Sequence, residues 1–159
     1  MAFEDLTPLS VGDTAPDFEL TDQHGRAIRL SDVIVGKPAV IAFVPAAFTG
    51  ICTGEFCELR DNIELFSETS VQLLGISCDP KAALRVWGDH EGYDFPLLSD
   101  FWPHGAVARQ FGVFLEDRGI ATRATFVVDG TRTIRAAFVN PPGEARPISA
   151  YREALAALG

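Results

Sequence analysis

The sequence predicts an α/β fold of three layers, and three observations carry that reading. Two continuous apolar runs, "PAVIAFV" (38–44) and "VQLLGIS" (71–77), suit central strands covered on both faces. Between them, Cys52, Phe56, Leu59, Ile63 and Phe66 follow the i, i+4, i+7 rhythm of a helix. Further on, "TRATFVVDG" and "RTIRAAFVN" flank the turn tip "DGT" and read as a hairpin.

Ahead of this core, "APDFELTDQHGRAIRL" reads as another hairpin around the turn signal "DQHG". After "CDP", residues 81–91 are expected to be helical, with Pro80 at the first turn. "FPLLSD" suits a short strand and "GAVARQF" a short helix, and "ISAYREALAAL" closes the chain as an amphipathic helix. No repeat, low-complexity tract or linker interrupts this order, so residues 1–159 are expected to form one domain with a substantial core. The order is that of a thioredoxin-like domain with an N-terminal β-hairpin extension.

A net charge of −9 counts against nucleic acid or an anionic membrane as partner. The opening "MAFEDLTPLS" has neither the basic nor the apolar region of a signal peptide. "PAVIAFVPAAF" is too short to span a membrane and is broken by Pro45. A cytoplasmic location is therefore expected. Three cysteines, an odd number, also fit a reducing compartment better than a disulfide framework.

The stretch "PAAFTGIC" (45–52) lies where the first central strand gives way to the helix. With Thr49 as N-cap, Cys52 is the third helical residue. A group there meets unpaired backbone N–H donors and the positive end of the helix dipole, and both favour thiolate over thiol. The periodicity puts Cys52 on the buried stripe, pointing into a pocket. A buried cysteine is more often a small hydrophobe, a reading that suits Cys78 in "GISCDP" better than Cys52.

"PAAFTGIC" matches the P-x-x-x-T-x-x-C signature of the peroxiredoxins, with Pro45, Thr49 and Cys52 in register. "GDTAPDFEL", "LSDFWPHGAVARQFGV" and "GIATRATFVVD" also resemble peroxiredoxin segments at the expected spacing, the last two most like the alkyl hydroperoxide reductase E type. The resemblance covers nearly the whole chain. It implies a peroxidase that reduces hydrogen peroxide and organic hydroperoxides without metal, haem or flavin. Cys52 would attack the peroxide and become a sulfenic acid. Thr49 would hold thiolate and peroxide, Pro45 would screen the sulfur from water, and Arg123 matches the family's active-site arginine. Glu55 matches a nearby carboxylate of the family, although it also suits a solvated first helical turn. A homodimer is implied as well.

Thiolate formation alone does not make an efficient peroxidase. Lowering a thiol pKa from ~8.5 to ~6 raises the thiolate fraction at neutral pH about thirtyfold. A Brønsted slope of ~0.45 takes back roughly tenfold in nucleophilicity. Donors from Thr49, Arg123 and the helix backbone must therefore stabilise the charge that moves onto the leaving oxygen.

Cys57, in "CTGEFC", has a spacing similar to that of the bacterioferritin-comigratory (Q-type) peroxiredoxins, where the second cysteine resolves the sulfenic acid as a disulfide. In an intact helix the two Cα atoms would be about 8–9 Å apart, beyond the ~7 Å limit for a disulfide. The first turns would have to unwind, and Gly54 lowers that cost. Resemblance to the E type favours instead a single reactive cysteine and an external thiol, such as a thioredoxin-like protein, a glutaredoxin-like protein or a low-molecular-weight thiol. Cys78 is a third, weaker candidate for the resolving role. No G-G-L-G stretch and no Tyr-Phe tail occur, and the resemblance to the peroxiredoxins then implies a helix that unwinds readily and a relative resistance to overoxidation.

Rival readings are weaker. A disulfide reductase of this fold needs C-x-x-C where "TGIC" stands. Cys52, Cys57 and Cys78 lack a fourth metal ligand, and His24, His90 and His104 have no paired spacing. A peroxide-sensing or holdase-like module without turnover is the remaining alternative. For it, "DFWPHGAV" offers aromatic residues that could line the pocket or an oligomer interface.

Overall fold

The structure, a computed structural model, describes residues 2–158. After a 3-10 turn at Phe3–Asp5 the chain forms a hairpin, β1 (Glu19–Asp22) and β2 (Ala27–Arg29), and a single helical turn, α1 (Leu30–Val33). Next come β3 (Ala39–Phe43), α2 (Gly50–Asp61), α3 (Glu64–Ser67), β4 (Gln72–Ser77), α4 (Lys81–Glu91), β5 (Leu97–Ser99) and α5 (Ala106–Gln110). A small ribbon of β6 (Phe114–Leu115) and β7 (Ile120–Ala121) precedes the hairpin β8 (Arg123–Val128) and β9 (Ile134–Asn140), and α6 (Ile148–Ala156) ends the order.

Seven strands form one sheet in the order β2-β1-β5-β4-β3-β8-β9. The apolar runs occupy its middle: β3 pairs in parallel with β4, and β4 in parallel with β5. All five residues of β3 are buried, because both faces are covered as its unbroken apolarity requires. Ala39, Ile41 and Phe43 pack on one face with Leu30, Val107 and Phe111. Val40, Ala42 and Val44 pack on the other with residues of α2, α3, α4 and α6. This is the three-layer, thioredoxin-like arrangement that the element order predicts.

The N-terminal hairpin extends the sheet, since β1 pairs antiparallel with β5 at Thr21↔Ser99 and Asp22↔Leu98. Two features differ from expectation. The helix predicted through Phe66 breaks at Asn62, which caps α2 with φ −118° and ψ 29° and donates its side-chain amide to the Glu58 carbonyl at 2.8 Å. The apolar rhythm runs across that break because Phe66 still reaches the same core. Pro80 is the N-cap of α4, in extended conformation, rather than a first-turn helical residue.

One glycine sets how closely α2 lies on the sheet. A Cβ on Gly75 of β4 would stand 2.8 Å from the ring of Phe56. The ring therefore rests on bare backbone, one turn along from Cys52.

Candidate active site

After Phe43 the chain leaves the sheet through a loop that the neighbouring strand holds. Val44 still donates its N–H to the Ile76 carbonyl at 2.9 Å. At the end of β4 the Asp79 carboxylate accepts the Ala47 N–H at 2.8 Å and the Ser77 hydroxyl at 2.7 Å. Parallel pairing of β3 and β4 brings these ends together. Pro45 is buried at the start of the loop. Phe48 adopts φ +64°, a left-handed conformation that costs a non-glycine residue energy and clusters at functional sites.

Thr49 is the N-cap of α2 by backbone geometry, and Cys52 is the third helical residue, as the sequence predicts. The Thr49 side chain makes no capping bond. Its hydroxyl instead donates back to the Ala46 carbonyl at 2.9 Å, which leaves it outside the set of acceptors for the first-turn N–H groups. The first intrahelical donor is Thr53, bonded to the Thr49 carbonyl at 2.9 Å. The N–H groups of Gly50, Ile51 and Cys52 precede it and have no partner within the helix. Cys52 itself has no solvent exposure, so the pocket expected around it is closed, and its neighbours are apolar residues of the α2 side of the sheet.

Beside it lies a buried ionic cluster. Glu55 follows Cys52 by three residues, on the same side of α2, and is buried rather than solvated. It receives Arg123 Nη1 at 2.5 Å and, from Arg146, the backbone N–H at 2.6 Å and Nε and Nη2 at 3.0 Å each. Arg123 starts β8, next to Ala124, which pairs with Phe43 at the end of β3. That register carries its guanidinium to the end of the sheet where Cys52 sits, and its Nε donates to the Pro142 carbonyl at 2.7 Å. Arg146 comes from the connection between β9 and α6 and also donates to the Ala124 carbonyl and the Thr125 hydroxyl.

Burial alone would raise the Glu55 pKa. The hydrogen bonds and charge of Arg146, with the charge of Arg123, outweigh it and hold the carboxyl below the ordinary carboxylate range. Two guanidiniums face one carboxylate, which leaves one positive charge over in a region closed to water. Burial works against the Arg146 charge, while the hydrogen bond and charge of Glu55 stabilise it.

Of the residues singled out from the sequence, Cys52, Glu55 and Arg123 are brought together, and Pro45 and Thr49 form the loop leading into them. Cys57 lies on the same helix but on another side, half-buried, with Sγ 3.3 Å from Glu91 Oε2 and 3.5 Å from the Tyr93 hydroxyl. Burial first, then the hydrogen bond to Glu91, raises its pKa. Cys78 packs on the opposite face of the sheet from Cys52, and burial pushes its thiol up to about 12. The sheet therefore separates Cys78 from the site. The aromatic residues of "DFWPHGAV" do not line the Cys52 site either: Trp102 is 83% exposed, and with Phe101 it borders a shallow surface cavity beside Pro80 and Lys81. His24 and His90 are exposed, while His104 bonds the Gly119 carbonyl.

Arg146 escaped the sequence reading. It sits in a Pro- and Gly-containing connection, "NPPGEARPIS", with no periodicity or motif to mark it. Asp79, which anchors the loop, lies in "CDP" just past the second apolar run, where no motif marks it.

The profile of the AhpC/TSA family matches residues 11–137, a span that contains Pro45, Thr49, Cys52, Glu55 and Arg123 and stops short of Arg146. Alkyl hydroperoxide reductase E of Mycobacterium tuberculosis (strain ATCC 25618 / H37Rv) is 47% identical over 150 residues, covering 94% of this chain and 98% of that protein. Peroxiredoxin Bcp of Escherichia coli (strain K12) is 35% identical over 139 residues, covering 84% and 87% respectively. The crystal structure of peroxidoxin BcpB from Mycobacterium tuberculosis superposes with a TM-score of 0.82 at 37% identity, covering 94% of this chain and 96% of that one.

Proposed function

This chain belongs to the AhpC/TSA family and is a thiol-dependent peroxidase, and we propose that Cys52 is the thiol that carries the reaction. The observation that supports this most is the charge of the buried cluster. Arg123 and Arg146 bring two positive charges and Glu55 one negative, so the buried cluster presents a net positive charge to the reacting sulfur and the leaving oxygen.

In the proposed reaction the Cys52 thiolate attacks the terminal oxygen of the peroxide. An S–O bond forms, the O–O bond breaks, and its electron pair goes to the leaving oxygen. That oxygen takes up a proton and departs as water or an alcohol, and Cys52 becomes a sulfenic acid. Arg123 and the unpaired N–H groups of the first helical turn stabilise the charge on the leaving oxygen. The Thr49 hydroxyl turns from the Ala46 carbonyl toward the peroxide, and Pro45 keeps water from one side of the sulfur.

The substrates are hydrogen peroxide and organic hydroperoxides. The electrons come from a thiol, supplied either by Cys57 through an intrachain disulfide or by an external thioredoxin-like protein, glutaredoxin-like protein or small thiol. We place the enzyme in the cytoplasm, where three free thiols on one chain stay reduced, and as a homodimer.

Intact mass and peptide mapping after one equivalent of hydrogen peroxide test the reading, with free thiols then alkylated. A gain of about sixteen daltons on Cys52, or a loss of about two with Cys52 joined to Cys57, supports it and identifies the route. Cys52 left reduced and alkylated would rule it out.

A further inference from the structure

Thr53, the residue after Cys52, is held at every polar group it has. Its N–H bonds the Thr49 carbonyl at 2.9 Å. Its hydroxyl accepts the Trp87 indole N–H at 3.1 Å, and its carbonyl accepts the Tyr93 hydroxyl at 3.2 Å. In an α-helix that carbonyl is also the acceptor for the N–H four residues on, which is Cys57. The same Tyr93 hydroxyl lies 3.5 Å from Cys57 Sγ. One tyrosine therefore touches both the peptide next to Cys52 and the second thiol of the helix.

The two donors are themselves immobilised. Trp87 has no solvent exposure and Tyr93 only 6%. Trp87 stacks on Phe56 at 5.4 Å between centroids, Tyr93 meets the edge of Trp87 at 5.1 Å, and Tyr93 stacks on Phe95 at 5.4 Å. Gly92, at φ +73°, ends α4 and turns the chain back, so that Tyr93 lies under α2. Four packed rings thus present two hydrogen-bond donors to one residue of another helix.

We propose that Trp87 and Tyr93 are positioning residues for Cys52: by fastening Thr53 they keep the first turns of α2 folded and so govern how long oxidised Cys52 waits for a reducing thiol. This inference rests on the reading of Cys52 as the thiol that peroxide oxidises. Because Cys52 is fully covered, a thiol reaches its sulfur only when those turns open, and a protein thiol or Cys57 needs a wider opening than a peroxide does. Reduction forms an S–S bond, breaks the S–O bond of the sulfenic acid, and releases the oxygen as water with the thiol's proton. While the helix stays closed, a second peroxide can act instead. It transfers oxygen to the sulfur to give a sulfinic acid and is itself reduced to water or an alcohol.

Tyr93→Phe and Trp87→Phe each remove one donor and keep an aromatic ring in place. Amide hydrogen exchange of the reduced protein is read over residues 53–57 and, as a reference, over β4. Each variant is expected to speed exchange over 53–57 roughly fivefold, the factor for one lost neutral hydrogen bond, with β4 unchanged. In the presence of dithiothreitol, the hydrogen peroxide concentration that converts half of Cys52 to sulfinic acid should rise by a similar factor. A merely structural role would speed exchange throughout and leave that concentration unchanged. Unaltered exchange over 53–57 in both variants, or faster exchange with no change in sulfinic acid formation, would overturn the proposal. If Cys52 is never oxidised, the peroxidase assignment of Cys52 fails, and this is seen in the wild-type protein before any variant is compared.

Discussion

Glu55 accepts three hydrogen bonds from Arg146, one from its backbone N–H and two from a guanidinium that has no solvent exposure. One carboxylate thereby joins a helix, the start of a strand and an otherwise irregular connection at the end of the sheet where Cys52 lies. Glu55→Ala would leave two buried guanidiniums without their counter-charge, at a cost of about 3–5 kcal/mol in unfolding free energy. Glu55→Gln keeps the shape and one acceptor oxygen and should lose less. Denaturant midpoints of the two variants check this, and equal, small losses would mean that the arginines find other partners.

The same carboxyl makes stability depend on pH with a definite sign. Arg146 and Arg123 hold the Glu55 pKa below its ordinary value of 4.5. The folded state therefore binds that proton less readily than the unfolded chain does. The stabilisation is fully present above 4.5 and is lost as pH falls through the lower folded value. The difference in unfolding free energy between wild type and Glu55→Gln should shrink on acidification. A difference that stays constant from neutral pH into that acid range would contradict the assignment.

Arg123→Met should slow peroxide attack about a hundredfold, the order expected when one donor to a developing oxyanion is lost. Ultraviolet absorbance of the thiolate measures how far Cys52 ionisation changes in the same variant. Thiolate fraction accounts for only about threefold once nucleophilicity is counted. A rate loss that simply followed thiolate fraction would remove Arg123 from the stabilisation of the leaving oxygen.

Two glycines near Cys52 should respond in opposite directions. Gly75→Ala sets a methyl group 2.8 Å from the Phe56 ring and 3.2 Å from Leu97. It should cost about 1–3 kcal/mol and lower peroxide reactivity by shifting α2. Gly54→Ala, with nothing within 4 Å of the new atom, should stabilise the helix by about 0.5–1 kcal/mol. Thermal melts and peroxide rate constants measured together distinguish the two cases.

Cys78 should be a bystander. Its thiol is pushed up to about 12 by burial and then by the Asp100 charge, and it packs across the sheet from Cys52. Alkylation of the native protein at neutral pH should leave it unmodified until the chain unfolds, and Cys78→Ser should leave the products of Cys52 oxidation unchanged. A disulfide that includes Cys78 after peroxide treatment would refute this.

What the sequence determined by itself was whatever neighbours along the chain control. Unbroken apolar runs placed β3 and β4 in the middle of the sheet. A capped helix start put Cys52 at the third helical position, and a glycine-marked turn closed the last hairpin. Strand pairing at a distance was less legible, because a three-residue strand such as β5 carries little pattern, and nothing local showed that β1 would pair with it and draw the N-terminal hairpin into the sheet. Side-chain partners were the least legible. Whether Glu55 is a solvated first-turn residue or the centre of a buried ionic cluster depends on Arg123, 68 residues away, and Arg146, 91 residues away. Only the fold brings those charges within hydrogen-bonding distance and seals them from water, at the end of the sheet where Cys52 lies.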